Sequence, residues 1–177
     1  MFRVFNNFLA EFVSHDRQRL IGVGMVSLED IQAGVDELER IARLGLRGAM
    51  ISGAPPEERP YASLVYDRFW QAAGVLDMPV SLHVITGSDE ASRKRGVPLA
   101  GNSGGPSVPE AYTFMIHEIQ RSIASLIFGG VFERFPRLKI VSAENDVGWL
   151  PHFMYRLDHA DEKFGAYDRS TAAASSE

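Results

Sequence analysis

His83 and Glu144 are the residues whose type and position can do chemistry in this chain of 177 residues. His83 lies near the end of an apolar, strand-like run, Val80 to Val84, inside MPVSLHVITG. A neutral imidazole there can ligate zinc or manganese, or exchange protons near neutral pH. The same residue also reads as a strand histidine that donates one ring N–H and packs. Glu144 follows a second apolar run, Leu138 to Ala143, by one position. A carboxylate at a strand mouth can hold a metal, orient water or act as a general base. It also reads as a first-turn acid answering the positive end of the next helix, a role for which Asp146 competes.

The other histidines carry weaker signals. His152 and His159 fall on the polar face of a C-terminal helix, opposite Phe153, Met154 and Leu157. His117 stands one step off the stripe Ile116, Ile119, Ile123 and Ile127, and His15 lies in a charged turn. No HxH, HxxxH or HExxH spacing occurs, nor GxGxxG, GxxxxGK[ST] or GxSxG. The glycine-rich GNSGG, Gly101 to Gly105, has no lysine and no strand directly before it. Arg93 to Arg95 is too short, and too poor in aromatics, for nucleic-acid binding.

Composition narrows the classes further. Hydrophobic residues make up 45%, enough for a sizeable core in one domain. A net charge of −5 predicts neither nucleic acid nor an anionic membrane as partner. The absence of cysteine removes disulfides and thiolate chemistry and agrees with a cytoplasmic protein. No apolar run approaches the ~20 residues of a membrane span. The N-terminal MFRVFNNFLAEFVSHD, broken by Asn6, Asn7 and Glu11, is not a signal peptide.

The elements that must position His83 and Glu144 follow from periodicity. Phe5, Phe8, Leu9 and Phe12 predict an amphipathic helix over residues 2–14. Leu20 to Val26 predicts a strand buried on both faces. Ser27 to Asp30 resembles a capping box before a helix with Ile31, Val35, Leu38 and Ala42 on one face and Gly45 as its terminating glycine. Leu46 to Ile51 predicts a second strand, followed by the turn-rich SGAPPEERPYAS. Tyr66, Phe69, Trp70 and Ala73 mark a third helix, and the third strand carries His83. Ile85 to Val108 reads as a long loop, a length that is usually functional or disordered. Ser107, Pro109 and Glu110 start a helix running to Phe128, which loosens at Gly129-Gly130 and stops near Phe135-Pro136. Strand four and a last helix follow. The polar tail, residues 165–177, is expected to be flexible. Strands alternating with helices predict a parallel sheet with Ser27, Ser52, His83 and Glu144 along one rim.

Three stretches carry a family resemblance: RLIGVGMVSLEDIQAGVDELERIARLGLRGAMI, YDRFWQAAGVLDMPVSLHV and IFGGVFERFPRLKIVSAENDVGWLPHFMYRLD. They resemble the amidohydrolase-related family of metal-dependent TIM-barrel hydrolases and decarboxylases, which includes aminocarboxymuconate semialdehyde decarboxylase. The resemblance implies a partial (β/α)8 barrel of about four βα units over residues 1–164. It implies that His83 is a metal ligand. The family often places an acid–base histidine at the position of Glu144, so the resemblance implies a catalytic role there, filled by a different residue.

The family's first-strand HxH motif and its late Ser-Asp or Thr-Asp pair are absent from this sequence. The chain therefore reads as the middle of such an enzyme. Two unpaired sheet edges are expected, with self-association as a homo-oligomer through them. The expected function is a metal-dependent hydrolase or carboxy-lyase for a small carboxylated or cyclic substrate, with weakly bound zinc or manganese and little or no activity from the isolated monomer. The competing readings are a non-catalytic α/β domain that associates through its edges, and an open flavodoxin-like binder without a phosphate loop.

Overall fold

A computed structural model describes residues 1–84 and 107–174. Most of the predicted loop Ile85 to Val108, including Arg93 to Arg95 and Gly101 to Gly105, lies outside the described residues. The chain forms two compact units, Met1–Asn145 and Asp146–Glu177.

The first unit is a parallel four-stranded sheet in the order β1-β2-β3-β4, comprising β1 (Val23–Met25), β2 (Gly48–Ser52), β3 (Val80–His83) and β4 (Ile140–Ala143). Helices α1 (Phe2–Ser14), α2 (Ile31–Arg43) and α3 (Asp67–Val75) alternate with the first strands. Helix α4 (Val108–Phe128) and the short α5 (Val131–Arg134) lead into β4. The predicted βα alternation is therefore present, with β1, β2 and β4 starting two or three residues later than the apolar runs and β3 starting with its run.

Side chains alternate across the sheet. Ala49, Ile51, Val80 and Leu82 face the helices and are at most 2% exposed. Met25, Met50, Ser52, Ser81, His83 and Ala143 share the opposite face and are half-buried. The helical layer is filled by Leu38, Ile41, Phe69, Trp70, Ile119 and Leu126. Tyr61, Tyr66 and Trp70 add an edge-packed aromatic cluster with ring centroids 5.2 to 5.9 Å apart.

Several local expectations change. Helix α1 forms as predicted, but Phe5, Phe8 and Phe12 face solvent at 42%, 61% and 52% exposure. The buried line is Asn6, Ala10 and Val13. The reason is close approach: a Cβ on Gly24 would stand 3.3 Å from the Asn6 Oδ1 and 2.7 Å from Ile41, leaving no room for a phenyl ring. Helix α2 is capped by Asp30, which accepts from the Ala33 N–H at 3.0 Å, rather than by Ser27. Its inward line ends on Ile41 rather than Ala42. Gly45 does terminate it, at φ +86°. In α4 the capping box Ser107–Glu110 is present, and the buried line is Ile119, Ser122 and Leu126.

The second unit contains α6 (Leu150–Ala174), which continues through most of the polar tail. Trp149 packs edge-on against Phe153 at 5.4 Å, and Tyr155 stacks on His159 at 6.0 Å. Among the described residues no helix is long and apolar enough to cross a membrane.

Candidate active site

The parallel register sets Ser52, His83 and Ala143 level on neighbouring strands, and Glu144 follows one residue later. All strand C-termini open on this rim, where parallel α/β sheets place ligands. The two residues singled out in the sequence come together: His83 Nε2 lies 3.0 Å from Glu144 Oε2. His83 Nδ1 lies 2.6 Å from the Val84 carbonyl oxygen. A carbonyl only accepts, so Nδ1 carries hydrogen and donates. Nε2 and the carboxylate then face each other at hydrogen-bonding distance. The imidazole side chain is 28% exposed and the carboxylate 70%, so Glu144 is the more open to water.

The backbone aims Glu144. Its φ is +61°, a left-handed conformation uncommon for a residue with a side chain, and Asp146 has φ +52°. Asn145 is buried between them and donates from Nδ2 to the Ala143 carbonyl at 2.5 Å. This tight turn sends the Glu144 carboxylate back towards β3. Such conformations cost of order 1–3 kcal/mol and cluster at functional sites.

Helix α4 holds the neighbouring mouth. Gly53 N–H donates to the His83 carbonyl at 2.7 Å, and the buried Ser122 hydroxyl donates to the Gly53 carbonyl at 2.6 Å. Ser125 Oγ accepts from the Ala62 N–H at 3.2 Å. Tyr61 donates its hydroxyl to the Ser52 carbonyl at 2.5 Å. Burial raises the Tyr61 phenol far above its ordinary range, and raises Tyr66 as well, so both remain protonated donors. Ser52 Oγ donates to the Ala54 carbonyl at 2.8 Å and accepts from the Ala54 N–H at 3.2 Å, which makes it a turn hydroxyl rather than a nucleophile. Ser27 is exposed and accepts from the Glu29 N–H.

His15 turns its Nδ1 to the Glu11 and Phe12 carbonyls, and His117 and His152 are exposed. Among the described residues no three of His, Asp, Glu or Cys gather into a metal-binding group. His83 and Glu144 supply two donors, and catalytic zinc sites usually take three from the protein. The described residues do not by themselves make a divalent-ion centre. What the pair can do unaided is hold and move a proton.

Beside the pair lies a cleft of about 350 Å3 at the mouths of β1 and β2. Met25, Met50 and Ser52 line it, with Tyr61, Tyr66, Pro55 and Pro56. Sequence reasoning placed Ser52 on the rim but missed Tyr61 and Ser122, whose roles depend on partners distant in the chain.

Comparison with known proteins adds the lineage. Residues 2–175 match the family described as Amidohydrolase. Decarboxylase orsB of Emericella nidulans is 28% identical over 157 residues, which cover 86% of this chain and 45% of that protein. A solved amidohydrolase from Mycobacterium avium subsp. paratuberculosis shares 28% identity, with a TM-score of 0.73 over 93% of this chain and 42% of its own. A dihydroxybenzoic acid decarboxylase from Polaromonas sp., solved with bound manganese and the inhibitor 2-nitroresorcinol, shares 27% identity, with a TM-score of 0.65 over 88% of this chain and 46% of its own. The chain thus spans less than half the length of each of these proteins. Its four parallel βα units fit part of the TIM barrel of these relatives, as the resemblance predicts. The chain belongs to the amidohydrolase family.

Proposed function

We propose that this chain carries part of the active site of a carboxy-lyase that acts on a small carboxylated ring compound, with His83 and Glu144 handling the proton. When a carboxylate leaves as carbon dioxide, the C–C bond breaks and its electron pair stays on the ring carbon. A proton must then reach that carbon. The Nε2–Oε2 pair, 3.0 Å apart on the open rim, is placed to supply such a proton, and this contact is the observation that carries the reading. Two of the three relatives described above are decarboxylases, which favours this chemistry over hydrolysis.

In the metal-loaded protein His83 would give Nε2 to a divalent ion and leave the proton to Glu144, the ion's other donors coming from outside the described residues. Manganese is favoured over zinc by the Polaromonas relative. A non-catalytic domain is the weaker alternative, because the named relatives are enzymes. Self-association through a sheet edge falls to β4, since Asn6 occupies the edge of β1 at Met25.

The test is release of labelled carbon dioxide from carboxyl-labelled 2,6-dihydroxybenzoate by the 177-residue chain with added manganese. A slow release above buffer background, lost in both Glu144→Gln and His83→Asn, is expected. Release that survives both substitutions, or none above background, contradicts the reading for this chain.

A further inference from the structure

We propose that the cleft at the mouths of β1 and β2 is a binding position for the non-reacting end of an acidic ring compound, with Arg59 as its anion anchor. The inference rests on the functional reading above and extends it to a substrate with two acidic groups, one at each end.

Four observations support it. The cleft's volume, about 350 Å3, falls in the range of small-molecule sites. Its inner wall is Met25 and Met50, adaptable thioethers that pack well against aromatic rings, and both lie on the sheet face that carries His83. Ser52 lines the cleft and stands level with His83 on the adjacent strand, one strand spacing of about 4.8 Å away, backbone to backbone.

The fourth observation is charge. Arg59 lines the cleft and is half-buried. Its carbonyl accepts from the Tyr66 hydroxyl at 3.0 Å, but its guanidinium makes no hydrogen bond or ion pair with any described residue. A guanidinium presents five donors in a planar fork suited to a carboxylate, and a partly buried one without a partner favours an anion. The cleft's two acids, Glu29 and Glu58, are exposed to solvent, whereas Arg59 is half-buried. A ring held against Met25 and Met50, with one carboxylate on Arg59, lies on the sheet face that carries His83.

The test uses the full chain without metal, with 13C-methyl methionine NMR as the readout and benzene-1,3-dicarboxylate, benzoate and benzyl alcohol as probes. The dicarboxylate is expected to shift the Met25 and Met50 methyl signals and leave that of Met78, which lies outside the cleft lining. Arg59→Gln is expected to weaken dicarboxylate binding about tenfold or more, while Arg59→Lys retains most of it and binding of benzyl alcohol is unchanged. His83→Asn is expected to weaken the dicarboxylate by no more than about threefold. Equal affinity in Arg59→Gln and the unmodified chain, or shifts at Met78 without shifts at Met25 and Met50, overturns the proposal. Arg59-dependent binding here, with no carbon dioxide release in the manganese assay above, overturns the carboxy-lyase reading and upholds the cleft.

Discussion

The side-chain amide of Asn6 stands in for a neighbouring strand at Met25: it accepts from the Met25 N–H and donates to the Met25 carbonyl, each at 2.8 Å. The same Nδ2 also donates to Glu37 Oε1 at 2.8 Å, which ties α1 to β1 and α2. One of the two sheet edges expected to be open is thereby closed at that point. Asn6→Ala strands both Met25 groups and should cost about 2–4 kcal/mol. In hydrogen exchange, the Met25 amide should lose protection selectively, while Val26, bonded to the Met50 carbonyl at 2.9 Å, keeps its own. Unchanged Met25 protection in Asn6→Ala contradicts this.

Gly53 is a close-approach glycine beside the site. A Cβ there would stand 2.7 Å from the His83 carbonyl oxygen and 3.1 Å from its carbon, both backbone atoms that cannot swing away. Gly53→Ala should destabilise the fold by about 1–3 kcal/mol and displace His83. Denaturant titration reads the first effect, and the His83 side-chain NMR signals read the second. Stability and signals both equal to the unmodified chain count against it.

Glu37 gives the acid limb of stability a local cause. The hydrogen-bonded guanidinium of Arg40, 2.6 Å away, holds the Glu37 carboxyl below its ordinary value, with Asn6 helping. A carboxyl depressed in the folded state contributes stability that is present above about pH 4.5, its unfolded value, and that is lost as pH falls through the lower folded value. Glu37→Gln should therefore cost roughly 1–2 kcal/mol at pH 7 and progressively less below pH 4.5. Urea midpoints of both proteins at pH 7 and below pH 4 measure this. A difference that does not shrink in acid contradicts it.

The sequence made the βα order legible because apolar runs and capping residues are local signals: the Ser107–Glu110 box and Gly45 do in the structure what their types predict. Helix faces were less legible. In α1 the conspicuous phenylalanines point outward, because Gly22, just before β1, and Gly24 on it are approached closely by Leu9, Val13 and Asn6 instead. In α4 the isoleucine stripe and the buried line share Ile119 and then part, the buried line running through Ser122, whose hydroxyl has a partner at Gly53, to Leu126. His83 and Glu144 were identifiable as strand-mouth residues, but their contact depends on the β3–β4 register and on the left-handed turn at Glu144. Neither is written in local periodicity. Arg59 lay in a stretch that reads only as a proline-rich turn.

The pairing of His83 with Glu144 is measured most directly by 15N NMR of the histidine side chains in the metal-free chain near neutral pH, with His83→Asn for assignment. The account predicts a protonated Nδ1 on His83, and an Nε2 signal that moves in Glu144→Gln while those of His117 and His152 stay in place. A His83 ring with an unprotonated Nδ1, or one whose signals ignore Glu144→Gln, would contradict the proton-sharing pair on which the proposed chemistry rests.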